Sequence, residues 1–288
     1  SSFYFALLTH NTYPNALHDD REEESTGLEE SMDDPAEETK SSGNPILLVV
    51  EDNPEIREYI LDSLSDSFHV ITASEGEEGC NAAFTHSPDI IVSDIMMPGM
   101  DGITFCQKIK ADVRTSHIPV ILLTAKDSLQ DKEEGYRSGA DSYLTKPFSA
   151  SLLHSRVKNL LENRKKLAKQ FVLDSRKDEK SSLYKESLNK LDNEFLENLT
   201  RLIEDNLQSE KMDIAYLSGE LSMSNSTLYR KVKALTGIST NEFIRKVKMK
   251  NAEQLLLTGK YNVSEVAFRV GMGSPIYFRQ CFKEEFGL

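Results

Sequence analysis

Asp89-Ile90-Ile91-Val92-Ser93-Asp94-Ile95-Met96-Met97-Pro98-Gly99-Met100-Asp101-Gly102 is the stretch that decides the fold of this chain. A short run, apolar at consecutive rather than alternate positions, suits a parallel strand buried on both faces. It closes on a carboxylate, Asp94, and breaks at a Pro-Gly turn. Four further runs of this kind flank it: Ile46 to Val50, Phe68 to Ala73, Ile118 to Leu123 and Ser142 to Thr145. Segments of 3.6-residue periodicity separate them. Five strands alternating with five helices predict an α/β domain with a doubly wound parallel sheet covered on both faces.

In such a sheet, with strand order 2-1-3-4-5, strands one and three meet at the topological switch point, and chemistry collects at their carboxyl ends. Strand one runs into Val50-Glu51-Asp52-Asn53-Pro54 and strand three into Asp94. Three carboxylates brought together repel one another unless a hard cation joins them, and such a set with a backbone carbonyl and waters suits Mg²⁺. Strand four closes in Leu123-Thr124-Ala125-Lys126 and strand five in Tyr143-Leu144-Thr145-Lys146-Pro147-Phe148. A hydroxyl from Thr124 and an ammonium from Lys146, facing this cluster, fit a phosphoryl group carried on Asp94.

The acid pair, the D-x-x-M-P-x-M-D-G string, the Thr-Ala and the Lys-Pro-Phe resemble the receiver domain of two-component response regulators over about residues 45–162. That resemblance implies a flavodoxin-like fold with Asp94 as phosphoacceptor, fed by a histidine kinase phosphodonor. It implies Mg²⁺ held by Glu51, Asp52, Asp94 and the carbonyl of Met96. Thr124 and Lys146 then stand as the switch hydroxyl and lysine, Tyr143 as the aromatic that follows Thr124, and Lys146-Pro147 as a cis peptide. Two other readings use the same residues. One is a metal-dependent phosphatase forming an aspartyl phosphate, as haloacid dehalogenases do; that family needs a second acid two residues on, where this chain has Met96. The other is a receiver with a helical protein-interaction output.

Composition separates the remainder. The chain of 288 residues carries a net charge of -13, but unevenly. From Asp19 to Lys40, eleven acids face two basic residues, a net of -9; from Lys211 to Lys283, twelve basic residues face five acids, a net of +7. The acidic stretch, about 19–44, has almost nothing apolar to bury and reads as a disordered linker. The basic stretch suits nucleic acid. No apolar run approaches the roughly 18 residues of a membrane helix, so a cytoplasmic segment without membrane contact is expected. Cys80, Cys106 and Cys281 lack CxxC spacing and fall in helical apolar patterns, which favours core packing over a disulfide or zinc.

Residues 163–189 read as a second linker, partly helical at best. From about 190 onward the pattern is all-α. Asp213 to Leu221, a turn at Ser222, and Asn225 to Thr236 give helix, turn, helix. Ala215, Leu217, Leu221, Met223, Leu228, Val232 and Leu235 are expected to form the apolar face, leaving Asn225, Ser226, Tyr229, Arg230 and Lys233 outside. Val263 to Val270, a turn at Gly271-Met272-Gly273, and Ser274 to Phe286 repeat the plan, with Arg279, Gln280 and Lys283 outward.

The strings L-Y-R-K-V-K-x-L-T-G and V-S-E-V-A-F-R-V-G-M-G-S-P-x-Y-F-R-Q-C-F-K resemble the AraC/XylS type of DNA-binding domain over about residues 190–288. The resemblance implies two helix-turn-helix units whose second helices enter successive major grooves, roughly 34 Å apart. Asn225, Ser226, Tyr229, Arg230 and Lys233 would contact DNA from the first, Arg279 and Gln280 from the second. Pro275 and Ile276 depart from this pattern, because neither can donate a side-chain hydrogen bond.

Residues 1–18 open on Ser1-Ser2-Phe3-Tyr4-Phe5-Ala6-Leu7-Leu8, which alternates like a strand and resembles the last strand of a histidine-kinase ATP-binding domain. That resemblance implies a hybrid two-component protein whose kinase, anchored in the inner membrane, shares the polypeptide. The function expected is phosphorylation-controlled transcription regulation, with dimerisation as the step between Asp94 and DNA and no enzyme activity in this segment itself.

Overall fold

The five runs form one parallel sheet: β1 (Ile46–Val50), β2 (His69–Ala73), β3 (Ile90–Asp94), β4 (Val120–Thr124) and β5 (Ser142–Thr145), in the order β2-β1-β3-β4-β5. The computed structural model describes residues 44–125, 139–174, 188–209 and 212–287. Side chains alternate across the sheet, so the apolar run of each strand feeds two cores. Leu48, Val50, Ile91 and Leu122 pack with α2 (Gly76–His86) and α3 (Gly102–Ala111). Leu47, Val49, Val92 and Leu123 pack with α1 (Pro54–Leu64) and α4 (Ala150–Asp174). The helix expected between β4 and β5 falls outside the described residues, as do the expectations for the first 43 residues.

Two strands start later than their apolar runs. The Phe68 N–H closes α1 on the Leu64 carbonyl, and the Ile118 N–H closes a turn on Thr115, so pairing begins at His69 and Val120. The stretch read as a partly helical linker, 163–189, is helical over its described first part. The α4 helix continues to Asp174, through the first half of that stretch, because its far end packs on a partner that local periodicity does not reveal. Ala168 is buried there, and an ideal Cβ built on Gly237 would stand 3.5 Å from it.

The remaining helices are α5 (Lys190–Asp205), α6 (Ile214–Glu220), α7 (Asn225–Thr236), α8 (Thr240–Leu257), α9 (Val263–Arg269) and α10 (Pro275–Phe286). Asn189, Asp213, Ser224, Ser239, Asn262 and Ser274 cap them in turn, each side chain accepting from a first-turn N–H. Phe195, Leu199, Leu217, Leu228, Val232 and Leu235 form the core of the first helix pair. Met249, Ala252, Val266, Ala267, Phe278 and Cys281 form that of the second. Ala215 does not join: it is exposed, and Ile214 and Tyr216 pack instead. Its position, about 200° around the helix from Leu217, explains this.

The two helix pairs turn at equivalent places. Ser222 (φ 55°) and Gly271 (φ 68°) each take the left-handed conformation, and the N–H of the next residue bonds back to Ser218 and Ala267. Gly271 is also forced sterically, since a Cβ there would stand 1.8 Å from the Leu207 carbonyl oxygen. All three cysteines are buried, which accords with core packing. No helix among the described residues is long and apolar enough to cross a membrane.

The loop from α3 to β4 touches the first helix pair, where Val113 packs against its core. Beside it His117 is 6% exposed, and its Nδ1 lies buried with no hydrogen-bond partner. Burial first, and then the charges of Lys231, Arg164 and Lys110, hold this imidazole well below its ordinary pKa. In the unfolded chain it titrates near the usual 6.5. The unfolded state therefore binds a proton that the fold refuses, and stability is lost as pH falls below about 6.5. Urea unfolding should show a loss of up to about 1.4 kcal/mol per pH unit down to pH 5.5 that is absent in His117→Gln. Equal pH slopes for the two proteins would exclude His117 as the cause.

Candidate functional site

Pairing of Val50 with Ser93 leaves Glu51 and Asp94 side by side at the carboxyl edge. The Glu51 N–H bonds to the Ala73 carbonyl, and Asn53 caps α1 immediately afterwards, so the chain turns at the acid pair. On the other side of β4, the Lys146 N–H bonds to the Thr124 carbonyl at 2.7 Å, bringing the β5 end into the same edge. Gly102 lets α3 begin directly against the strand carrying Asp94: a Cβ there would stand 2.0 Å from the Asp94 carbonyl oxygen.

Lys146 joins the site together. Its ammonium lies 2.8 Å from Glu51 Oε2 and 2.9 Å from Asp94 Oδ2, across three strands. Burial alone would depress this ammonium; the hydrogen bonds and charges of Glu51 and Asp94 outweigh burial and hold it above its ordinary pKa. Glu51 is fully buried. Burial raises its pKa, aided by the Asp94 charge and opposed by Lys146. Its other oxygen, Oε1, is buried with no hydrogen-bond partner. Asp52 is exposed, and one carboxylate oxygen each from Glu51, Asp52 and Asp94 come within 4.8 Å of one another. An oxygen-only set with an unpaired buried acceptor fits a hard divalent cation.

The other expected residues lie on neighbouring strands and turns. Thr124 ends β4 and is buried. Tyr143 lies on β5, half-buried against the core. The side chain of Met96 is 66% exposed, two residues beyond Asp94. The Lys146-Pro147 peptide is cis. Arg57 is a residue the motif does not mark: its guanidinium donates to the Glu51 carbonyl at 2.6 Å and reaches the Asp52 carbonyl at 3.3 Å. A basic residue on the first turn of the helix following two acids is the available sequence signal.

On the helical units, Ser226, Lys233 and Arg279 are exposed, and Tyr229 and Arg230 half-exposed. Several are already engaged. Asn225 Oδ1 accepts from the Ser218 hydroxyl, Lys233 donates to the Tyr229 hydroxyl, and Gln280 donates to Glu284. The Arg230 guanidinium lies 3.5 Å from the Ser87 carbonyl on the sheet domain.

Residues 47–158 match the family model described as response regulator receiver domain, and residues 217–288 match that described as helix-turn-helix domain. The chain carries a receiver followed by a helix-turn-helix domain. That order of domains is the one the two residue patterns predict. It is 38% identical over 258 residues, 90% of its length, to "Histidine kinase P4" of Formosa agariphila. It is 41% identical over 128 residues to "Hybrid signal transduction histidine kinase D" of Dictyostelium discoideum, covering 44% of the chain. It is 42% identical over 118 residues to "DNA-binding dual master transcriptional regulator RpaA" of a Synechocystis strain, covering 41% of the chain. The chain spans 18%, 8% and 49% of the lengths of these relatives.

Receiver and helix-turn-helix domain share a buried polar junction. Ser116 of the receiver donates to Asp192 Oδ1 at 2.7 Å, and Lys231 of α7 reaches the same oxygen at 2.5 Å and the Ser116 hydroxyl at 3.0 Å. Asn189 adds donors to the Ser116 carbonyl and to Asp192 Oδ2. Lys231 is fully buried; burial depresses its pKa, while the charge and hydrogen bond of Asp192 oppose that shift. Sequence reading assigns Lys231 only to a basic helix. Its position flanking Leu228 and Val232 is the one sign that it could turn inward.

Proposed function

We propose that Asp94 takes up a phosphoryl group from a phosphohistidine of a histidine kinase. The phosphorus–nitrogen bond breaks with its electron pair staying on the imidazole, and a carboxylate oxygen of Asp94 bonds to phosphorus. The observation supporting this most strongly is Lys146 spanning Glu51 and Asp94 at the ends of three strands. Mg²⁺, held by Glu51, Asp52, Asp94 and the carbonyl of Met96, would neutralise charge on the phosphoryl oxygens. Lys146 and Thr124 contact those oxygens in turn, and Tyr143 follows Thr124 inward. Uptake of radiolabelled phosphoryl group by wild type and Asp94→Asn tests this step.

The output is sequence-specific DNA binding through Asn225, Ser226, Tyr229, Arg230, Lys233, Arg279 and Gln280, with a phosphorylated homodimer as the binding form. The kinase belongs to the same polypeptide, which the length and name of the Formosa relative favour; we further propose that it is anchored in the membrane with this segment in the cytoplasm. Arg230→Ala should weaken binding to a selected duplex by about tenfold or more, the value of one bidentate base contact. Binding should also weaken steeply with salt. A wild type that binds no duplex at low salt would defeat this part of the reading.

A further inference from the structure

The two DNA-entering helices can be aligned by their caps. Ser224 accepts from the Thr227 N–H and Ser274 from the Tyr277 N–H, so Leu228 corresponds to Phe278 and Lys231 to Cys281. All four of these side chains are buried, which confirms the register. The outward positions of α7 and α10 then pair as Ser226 with Ile276, Tyr229 with Arg279, Arg230 with Gln280 and Lys233 with Lys283. Ile276 is 79% exposed, more than any other large apolar side chain among the described residues.

Its neighbours on the first turn offer no free polar group. Pro275 has no N–H to donate, and the Tyr277 hydroxyl is hydrogen-bonded with Arg245 of α8 and with Cys281. The stripe continuing from Ile276 is polar and basic, with Arg279, Gln280 and Lys283 all exposed. An apolar side chain heading a basic stripe suits a polyanion that presents an apolar group in its groove. In the major groove the C5-methyl of thymine is that group.

We propose that Ile276 determines specificity by packing on a thymine methyl, so that the second helix-turn-helix unit adds an apolar base contact where the first has Ser226. This rests on the DNA-binding reading above. The test uses the full chain and a duplex selected from a random pool, with each thymine replaced in turn by deoxyuridine. That replacement keeps base pairing and removes only the methyl. At one or two neighbouring thymines the wild type should lose about fourfold in affinity, the loss expected for one methyl-sized apolar contact. Ile276→Ala, a surface change that leaves the core intact, should bind the thymine and deoxyuridine duplexes equally. Indifference of the wild type to every replacement overturns the proposal while leaving DNA binding standing. So does an Ile276→Ala variant with undiminished discrimination, or one whose only change is in self-association. A wild type that selects no sequence overturns both.

Discussion

Incubated with Mg²⁺ and a small phosphodonor such as acetyl phosphate, the wild-type protein should acquire one phosphoryl group per chain, and Asp94→Asn should acquire none. The expected loss is to background, because the amide oxygen that replaces the carboxylate is too weak a nucleophile to form an acyl phosphate. The fold should survive the change. Asn is nearly isosteric, and Lys146 keeps Glu51 as a partner at 2.8 Å. The bond should show the lability of an acyl phosphate, with hydroxylamine releasing the label. Withholding Mg²⁺ should lower uptake strongly, since Glu51 Oε1 is buried without a partner and the carboxylates lie within 4.8 Å of one another. Labelling that persists in Asp94→Asn, or that resists hydroxylamine, would move the acceptor to another residue.

The second large effect is expected at the junction between the domains. Asp192→Ala removes the carboxylate bonded to Lys231, leaving a fully buried ammonium against the Ser116 hydroxyl and the Phe195 ring. Breaking a buried pair on one side costs about 3–5 kcal/mol, because the remaining charge must be held without compensation or lose its proton. Urea unfolding should show that loss. The double variant Asp192→Leu with Lys231→Met should recover most of it, since an apolar pair of similar volume removes both the charge and the penalty. A double variant as unstable as Asp192→Ala would mean that packing, not charge, dominates there. Ser116 lies in the receiver, so the same measurement should show whether the two domains unfold together.

These two sites differ in how far the residues alone disclosed them. The acidic cluster was legible because each member occupies a strand end, and strand ends follow from apolar runs and the turns that close them. Glu51, Asp52, Asp94, Thr124 and Lys146 could thus be gathered before any geometry was known. Their pairing could not: the bridge from Lys146 to Glu51 and Asp94 depends on β5 standing next to β4 in register. Arg57 was missed for a similar reason, since its partners are backbone carbonyls, which carry no sequence signature.

In the helical region periodicity marked the faces and misjudged one residue, Ala215, where a seven-residue helix offers too few turns to average over. It also gave α7 an inner and an outer side but no partner for either. The amino-acid sequence by itself determined the five strand runs, the residues that close them and the two repeated helical units, because these follow from local patterns of burial and turn formation. Only the tertiary structure decided which outward residues are already bonded, that α4 extends to Asp174, and that Lys231 is enclosed between Asp192 and Ser116. A polar group's partner is chosen by what folding carries to it from 39 or 115 residues away, and no local pattern records that choice.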